Sequence, residues 1–194
     1  MTEARPRTRN AAATRAAILT SARKAFAAHG YDGAGVREIA AGAGVTAVLV
    51  NRYFGAKEQL FVEAAAQALE EPVILAPETL ASPDLADALA RALVQVTAPG
   101  ETPLDGFLIL LHSASSPRAA EIGRTWFERA QAPTLAPALN GALTAERAAI
   151  FAALVAGIQV MRQVFEVPDL ARADPADLQR LLTPVIQALI ETPA

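Results

Sequence analysis

Apolar residues recur at helical spacing from about residue 12 onward. The first such run predicts a helix over about Ala12–Ala28, and Gly30 is placed to end it. Tyr31–Gly33 then predicts a turn. The apolar positions that define this helix are Ile18, Ala22, Ala25 and Phe26.

The next stretch predicts two short helices joined by a tight turn. Its apolar positions predict helices over about Val36–Gly42 and Ala47–Phe54. Gly44 suits a left-handed turn position between them, and Thr46 is a favourable N-cap for the second helix. Two short helices joined by a glycine-containing turn are typical of a helix-turn-helix. The pattern alone is of moderate specificity, because hairpins of two helices are common.

The rest of the chain predicts further helices separated by proline-rich breaks. A helix over about Lys57–Leu69 is followed by a predicted linker, Glu70–Pro83. Thr144 and Asp174 are expected N-caps, and Pro184 is expected to kink the last helix. The later predicted helices are Asp84–Thr97, Leu104–Ser113, Pro117–Ala130, Thr144–Val167 and Pro175–Ile190.

The composition favours a helical, intracellular protein. Ala and Leu are abundant and aromatic residues few, which favours helix over sheet, so the expected fold class is all-α. The 194 residues include no cysteine, which excludes disulfides and thiolate metal sites. No apolar run approaches the roughly 20 residues that span a bilayer, and no hydrophobic signal-peptide core follows the basic start. We therefore expect a soluble, cytoplasmic protein with no membrane partner.

Charge is divided unevenly along the chain. Residues 1–60 contain nine Lys and Arg residues against four acids, a net charge of +5, and because the whole chain carries −3, the remainder carries −8. A basic head on an acidic body suits binding of a polyanion by the head, although chance sorting of solvated charges is an alternative. We expect residues 1–10, with Arg5, Arg7 and Arg9, to be a loose basic arm. It would reach phosphates or the minor groove, or be a frayed terminus with no role.

Three motifs follow one another over about Ala16–Phe61 without a gap. They are AF..HGYD after the first helix, V.EIA..AGV in the helix-turn-helix, and RYF..KE.LF at its exit. Together they resemble the DNA-binding domain of the TetR family of bacterial transcriptional regulators. The resemblance implies a DNA-binding domain over residues 1–55 and a helical regulatory, ligand-binding and dimerisation domain over residues 56–194. The sequence departs from the family at Leu49 and Asn51, where a small residue and an aromatic residue are frequent.

The second short helix carries side chains that suit the major groove. Asn51 can pair bidentately with adenine and Arg52 with guanine, whereas Ala47 and Val48 offer methyl contacts to thymine. Lys57 stands at the N-terminus of a helix, where backbone N–H groups favour an anion. Each residue also has a simpler interpretation as solvated surface or core. The candidate DNA-binding residues are Arg37, Thr46, Ala47, Val48, Asn51, Arg52, Tyr53 and Lys57.

The last two long predicted helices are strongly apolar, which suggests self-association, with a monomer core as the alternative. The family resemblance implies a homodimer formed through a four-helix bundle. Two-fold symmetry would then present two recognition helices to a palindromic operator in double-stranded DNA. The candidate interface residues are Ile150, Leu154, Gly157, Ile158, Leu178, Leu182, Val185 and Leu189.

The middle helices hold the candidate ligand pocket. Their aromatic and apolar side chains suit a mostly apolar cavity with a few polar groups, although plain core packing is the commoner role for each. His29 and His112 lack acidic or thiol partners at ligand spacing, so no metal is expected, and no motif for a cofactor is present. The candidate pocket residues are Phe107, Leu111, His112, Trp126, Phe127, Met161 and Phe165.

These features predict a homodimeric, sequence-specific transcriptional regulator rather than an enzyme, most often a repressor in the similar family. An unidentified small-molecule effector would lower operator affinity if it bound the DNA-free state more tightly. One alternative is a helical ligand carrier or enzyme with a vestigial DNA-binding head, which would not persistently bind specific duplex DNA. Another is a nonspecific nucleoid protein, whose specificity ratio would be near one at a stated salt concentration.

Overall fold

The computed structural model describes residues 6–69, 74–100 and 105–191. Within these ranges every regular element is a helix, which confirms the all-α prediction. The α-helices are α1 (Pro6–Gly33), α2 (Val36–Gly42), α3 (Ala47–Phe54), α4 (Lys57–Leu69), α5 (Pro77–Leu80), α6 (Leu85–Val96), α7 (Asp105–Ser113), α8 (Pro117–Trp126), α9 (Ala132–Leu135), α10 (Thr144–Gln159), α11 (Pro168–Ala171) and α12 (Pro175–Ile190). Two π-helices, Phe127–Gln131 and Val160–Val164, follow α8 and α10, and a 3₁₀ turn at Ala136–Ala138 follows α9.

The described residues form two compact units. The first unit contains residues 6–69 and 105–124, and the second contains residues 74–100 and 125–191. The helices that follow residue 56 are therefore divided between the units, and α7 packs on α1 in the first. The predicted division into functional domains, 1–55 and 56–194, remains a prediction.

The core of the first unit joins α1, α4 and α7. Phe26 of α1, Leu60 and Phe61 of α4 and Ile109 of α7 are fully buried. The rings of Phe26 and Phe61 meet edge to face with centroids 5.0 Å apart. Burial of each such side chain stabilises the fold by roughly 1.5–3 kcal/mol. The cluster therefore fixes the positions of α4 and α7 on the helix that leads into the helix-turn-helix.

Helix boundaries in the first unit agree with the predictions where local signals set them. α2, α3 and α4 have the predicted bounds. Gly44 has the expected left-handed φ of 67°. Gly30 interrupts α1 with φ 65° and ψ −177°, but the helix resumes through Gly33, so the predicted turn at Tyr31–Gly33 is wrong. The prediction of a loose arm is wrong from Pro6 onward, because α1 begins there. Proline is favourable at a first helical position, and the alanine-rich run that follows favours helix. Arg5 lies outside the described residues.

Of three local predictions for the second unit, one is confirmed and two need correction. Asp174 caps α12 as predicted, because its carboxylate accepts from two backbone N–H groups of the first turn. Thr144 is not an N-cap: Leu143 occupies that position with φ 56°, and its carbonyl accepts from the N–H of Arg147 at 2.9 Å. The N-cap of α10 is therefore one residue earlier than the one predicted from the hydroxyl of Thr144. The segment predicted as a linker also contains α5 and the buried Leu75.

The core of the second unit is formed by α6, α10 and α12. Leu89 and Leu93 of α6, Phe151 of α10 and Ile186 of α12 are buried within it. α12 continues as one helix through Pro184, and the predicted kink there remains a prediction. In this arrangement α12 packs against α6, and α10 contacts α12.

The run Thr144–Val164, which joins α10 to its π-helix, is 21 residues long. By length and composition alone it is apolar enough to cross a membrane, which the uninterrupted apolar runs of the sequence did not indicate. The run contains Arg147 and Arg162, whose side chains are buried in the second unit. Arg147 donates to the carbonyl oxygens of Leu189 and Ile190, at the end of α12. These two arginines therefore serve the packing of the second unit.

Arg162 joins three segments of the second unit. Its Nη1 donates to the carbonyl oxygen of Val94 at 2.8 Å and to Oγ1 of Thr97 at 2.6 Å, and its Nε donates to the carbonyl oxygen of Leu170 at 3.1 Å. Carbonyl groups at the end of a helix lack donors within that helix, so the guanidinium satisfies acceptors at the end of α6. Burial lowers the pKa of Arg162. The side chain nevertheless stays protonated at neutral pH, because an arginine is not deprotonated in proteins.

We expect Arg162→Met to destabilise the protein by about 2 kcal/mol, because buried acceptors left without donors cost about 1–3 kcal/mol each. Removal of a buried charge offsets part of this loss, since no carboxylate pairs with Arg162 among the residues described. Thermal unfolding followed by fluorescence of Trp126, in the second unit, should show a midpoint lower by about 5 °C. Arg172→Met, at an exposed position, is the control. Equal midpoints for the two variants would contradict the role of Arg162.

Candidate nucleic-acid interface

The start of α2 is fixed by one carboxylate. Glu38 accepts a hydrogen bond from the backbone N–H of Gly35 at 3.4 Å, which satisfies a donor at the helix N-terminus. Its other carboxylate oxygen lies 3.2 Å from Nε2 of His29, in the last part of α1. Glu38 thus connects the end of α1 to the first turn of the helix-turn-helix.

The turn between α2 and α3 is held by backbone bonds and one hydroxyl. Gly44 takes the left-handed conformation, and the N–H of Val45 donates to the carbonyl oxygen of Ala40 at 2.9 Å. Thr46 caps α3 as predicted, with its side-chain oxygen accepting from the N–H of Leu49 at 3.4 Å. The two helices pack against each other and the core through the buried residues Ile39, Ala40, Val50 and Phe54. The opposite face of α3 is therefore exposed to solvent.

The exposed face of α3 carries the side chains predicted to read bases. Val48 is 79 % exposed, which is unusual for a large apolar side chain on a short, well-packed helix. Asn51 and Arg52 are exposed beside it, whereas Ala47 and Tyr53 are half-buried against the core. This face therefore offers methyl groups, an amide and a guanidinium, the groups that can distinguish base pairs in the major groove.

Some basic side chains of the first unit already have acidic partners. Arg15 pairs with Glu63 and Arg23 with Asp105, so these charges are neutralised within the protein. In contrast, Arg37, Arg52 and Lys24 make no ion pair within residues 6–69, 74–100 and 105–191. Arg37 and Arg52 are among the predicted DNA-binding residues, whereas Lys24 is not. Free cations on α2 and α3 are the charges that remain available for phosphate groups.

Lys57 is held at the first residue of α4. Its Nζ donates to the carbonyl oxygen of Asp32 at 3.3 Å and lies 5.0 Å from the ring centroid of Tyr31. The ammonium is therefore held against Tyr31 and Asp32, and it belongs to the residue that begins α4. An ammonium and a helix N-terminus together favour a bound anion such as a phosphate.

The next residue of α4 takes part in a charge network with α8. Arg118 donates to Glu58 and to Glu121. The hydrogen bond from Arg118 lowers the pKa of Glu58, and the same contacts raise the pKa of Arg118. Both groups are exposed, so the attraction is screened by salt. The contact orients the first turn of α4. Because Glu58 is paired with Arg118, it does not neutralise the charge of the neighbouring Lys57.

The predicted pocket residues lie in both units. Phe107, Leu111 and His112 belong to α7 in the first unit, and the others belong to the second. His112 Nδ1 lies 2.6 Å from the carbonyl oxygen of Ala27, so this ring is engaged with α1. In the second unit, Trp126 and Phe127 are half-buried, whereas Met161 and Phe165 are exposed by 41 % and 67 %. The pocket assignment remains a prediction.

A surface groove that the sequence did not indicate lies between α1 and α2. It has a volume of about 580 Å³, and Thr20, Lys24, His29 and Glu38 are among its lining residues. No group of three or more metal-ligating side chains converges in the portion of the chain that is described. The groove and the exposed face of α3 are both features of the first unit.

The predicted dimer-interface residues differ in their exposure. Two of them, Leu178 and Leu182, are buried in the core of the second unit. Leu181, which was outside the predicted interface set, is 65 % exposed on the same helix. Of the remaining predicted residues, the exposed ones are Ile150, Gly157 and Val185, and the half-buried ones are Leu154, Ile158 and Leu189.

Known structures share this architecture over nearly the whole chain. A TetR-family regulator from Streptomyces coelicolor A3 is 26 % identical, with 97 % of this chain and 99 % of that one covered and a TM-score of 0.61. The multidrug binding protein EbrR, complexed with proflavin, is 24 % identical over 91 % and 99 % of the two chains, with a TM-score of 0.61. GusR from Salmonella enterica is 17 % identical over 98 % of each chain, with a TM-score of 0.66. The last two likenesses establish a common fold.

Family membership follows from two matches along the sequence. No curated protein matches the chain at a significant level. Residues 18–64, which contain the helix-turn-helix, match the description "Bacterial regulatory proteins, tetR family". Residues 83–190, more than half of the chain, match "Tetracyclin repressor-like, C-terminal domain". The chain therefore belongs to the TetR family of bacterial transcriptional regulators.

Proposed function

We propose that this protein is a homodimeric repressor that binds a palindromic operator and is released from it by a small molecule. The observation that carries the proposal is the solvent-facing side of α3, where Val48, Asn51 and Arg52 stand exposed on a helix with a fixed start. Arg52 and Arg37 are free of acidic partners among the described residues, and Lys57 lies at the start of α4. These features suit a helix that enters the major groove between two phosphate contacts.

The side chains of α3 favour a mixed operator sequence. Arg52 suits guanine and Asn51 suits adenine, because each can form two hydrogen bonds to the major-groove edge of that base. Val48 and Ala47 suit the methyl group of thymine. Thr46, Tyr53, Arg37 and Lys57 are assigned to the phosphate backbone, where they set the register of α3 without reading sequence.

Dimerisation is assigned to α10 and α12. Ile150 on α10 and Leu181 and Val185 on α12 expose large apolar side chains. A Cβ added to Gly157 would meet no atom within 4 Å, so this position leaves room for a partner helix. Apolar residues at these positions suit a two-fold interface better than contact with water. The same interface explains the apolar run Thr144–Val164 without a membrane, in a protein assigned to the cytoplasm.

A small-molecule effector is assigned to the helical body. EbrR, which has the same fold, was obtained in complex with proflavin. In this chain the candidate contacts in the second unit are Trp126, Phe127, Met161 and Phe165, which offer aromatic and thioether surfaces. Release from DNA requires that the effector bind the DNA-free conformation more tightly than the bound one. No catalytic role is assigned.

Selection of bound sites from random duplex DNA is the experiment that tests the proposal. We expect enrichment of a palindrome whose half-sites are separated by about one helical turn or a multiple of it. Recovery of no enriched sequence, at a stated salt concentration, would reject sequence-specific regulation. That result would favour a nonspecific nucleoid protein if all duplexes bound equally, and a ligand carrier or enzyme if none bound.

On the selected palindrome, Lys57→Gln and Arg52→Ala should have different effects. Lys57→Gln should weaken binding to all sequences about tenfold and reduce the salt slope by about 1 in each half-site, because one phosphate there is no longer neutralised. Arg52→Ala should cost about 1–3 kcal/mol and relax the preference at one base position of each half-site. Fluorescence anisotropy over a salt series measures both effects.

The control for these two variants is Arg172→Ala, an exposed cation of the second unit. It should change neither the affinity nor the salt slope. An unchanged salt slope for Lys57→Gln would contradict the phosphate role, and an unchanged base preference for Arg52→Ala would contradict the base contact.

A further inference from the structure

One backbone hydrogen bond is missing from α1. Residues of α7 supply a new acceptor for its N–H group and a new partner for its carbonyl oxygen. In a continuous helix the N–H of Tyr31 would donate to the carbonyl oxygen of Ala27. Gly30, with φ 65° and ψ −177°, breaks that geometry. Instead, the N–H of Tyr31 donates to Oγ of Ser113 at 2.9 Å, and the carbonyl oxygen of Ala27 lies 2.6 Å from Nδ1 of His112. Two consecutive residues at the end of α7 therefore complete the interrupted helix.

The joint is closely packed. A Cβ on Gly30 would lie 2.2 Å from the carbonyl oxygen of His112 and 3.3 Å from the backbone nitrogen of Ser113, so only a glycine lets the two backbones approach this far. Ser113 is 2 % exposed, so its hydroxyl is withdrawn from water. Because a carbonyl oxygen only accepts, Nδ1 of His112 must carry the proton of this hydrogen bond.

The residues that follow the break also hold the start of α4. Asp32 accepts from Nζ of Lys57 through its carbonyl oxygen at 3.3 Å, and the same ammonium lies over the ring of Tyr31. The Tyr31 ring meets the buried ring of Phe61 edge to face, with centroids 5.0 Å apart. Tyr31 thus contacts the end of α7 through its backbone N–H and Lys57 through its ring, and the adjacent Asp32 contacts Lys57 through its carbonyl oxygen.

We propose that His112 and Ser113 are positioning residues for DNA binding. They fix Tyr31 and Asp32, and those two residues in turn place the Lys57 ammonium where it meets a phosphate. This inference rests on the proposed function, because it takes Lys57 as a phosphate contact. It also assigns His112 to the joint between α1 and α7, where the sequence had suggested a pocket lining.

Ser113→Ala tests the coupling, with Ser115→Ala as the matched control at an exposed position two residues further on. Ser113→Ala leaves the N–H of Tyr31 without its acceptor and should lower affinity for the selected palindrome about tenfold. Ser115→Ala should leave it unchanged. In a double-mutant cycle, Ser113→Ala should have less than about a twofold effect once Lys57→Gln is present. Its effect should stay near tenfold in the Arg52→Ala background, because Arg52 lies outside the joint.

His112 gives a second, independent test. Asparagine can place an N–H donor near the position of Nδ1, so His112→Asn should retain most of the affinity that His112→Leu loses. In the wild-type protein, long-range ¹H–¹⁵N spectra should show neutral His112 protonated at Nδ1. Protonation at Nε2 instead would overturn the joint, whatever the DNA result. If Ser113→Ala does not fold, the asparagine and leucine pair decides the question.

The two proposals fail in distinguishable ways. Absence of specific binding by the wild-type protein rejects the proposed function. Specific wild-type binding combined with equal affinities for Ser113→Ala and Ser115→Ala rejects the positioning role alone. Strict additivity between Ser113→Ala and Lys57→Gln rejects the route through Tyr31 and Asp32.

Discussion

Gly30→Ala should destabilise the first unit by about 4 kcal/mol or more, which is a large part of the stability of an ordinary domain. Two separate costs add at this position. A φ of 65° with a ψ of −177° lies in a region that is essentially restricted to glycine. The new Cβ would also lie 2.2 Å from the carbonyl oxygen of His112, and a backbone atom cannot move aside as a side chain does. Relief requires that α7 separate from α1.

Thermal unfolding by circular dichroism should show the first unit of Gly30→Ala melting about 10 °C lower or more. Gly44→Ala is the matched control, because Gly44 has a similar φ of 67° but open space where a Cβ would lie. That variant should lose only about 1–2 kcal/mol. The fluorescence of Trp126, the single tryptophan, follows the second unit and separates its unfolding from that of the first. Equal losses for the two variants would show that the contact with His112 carries no cost.

The predictions that succeeded rest on signals that act over a few residues. Thr46 and Asp174 cap the helices that follow them, and Gly44 turns the chain because it alone tolerates that φ cheaply. Gly30 was predicted as a helix stop by the same reasoning, and it interrupts α1, although the helix resumes through Gly33. The reason that a glycine is needed there was not visible, because it involves His112, 82 residues further along the chain.

The charge of the candidate DNA site could be predicted only in part. The excess of basic residues in the first 60 positions is a property of the sequence. Which of them remain free depends on partners that folding brings from far away, such as Glu63 for Arg15 and Asp105 for Arg23. Neither partner lies within a helical turn of its arginine, so no local rule identifies it.

The apolar pattern of α12 shows a further limit. Leu, Ile and Val occupy both the buried positions of this helix and its exposed ones. Periodicity therefore does not separate core residues from candidate interface residues. The structure separates them by exposure. Leu178, Leu182, Ile186 and Ile190 recur every four residues and are buried, whereas Leu181 and Val185 are exposed by 65 % and 48 %. A test of dimerisation therefore belongs at the exposed pair, because a change at Leu182 would damage the core.

Leu181→Asp combined with Val185→Asp should convert the protein to a monomer that keeps its helical fold. Two carboxylates at a two-fold apolar interface would face their own copies and lose water on association, which is strongly unfavourable. Sedimentation should show half the wild-type mass, with an unchanged circular dichroism spectrum. Because a dimer engages both half-sites at once, affinity for the palindrome should fall by about 100-fold or more, while affinity for an isolated half-site changes little.

Ala176→Asp with the same sedimentation and binding measurements is the control. It adds a carboxylate to the first turn of α12, where an acid is favourable, at an exposed position on a different side of the helix from Leu181 and Val185. This variant should remain dimeric and bind the palindrome normally. A dimeric Leu181→Asp, Val185→Asp protein would place the interface elsewhere. A monomeric one with full affinity for the palindrome would remove the need for two-fold symmetry, and the selected sites should then show single rather than paired half-sites.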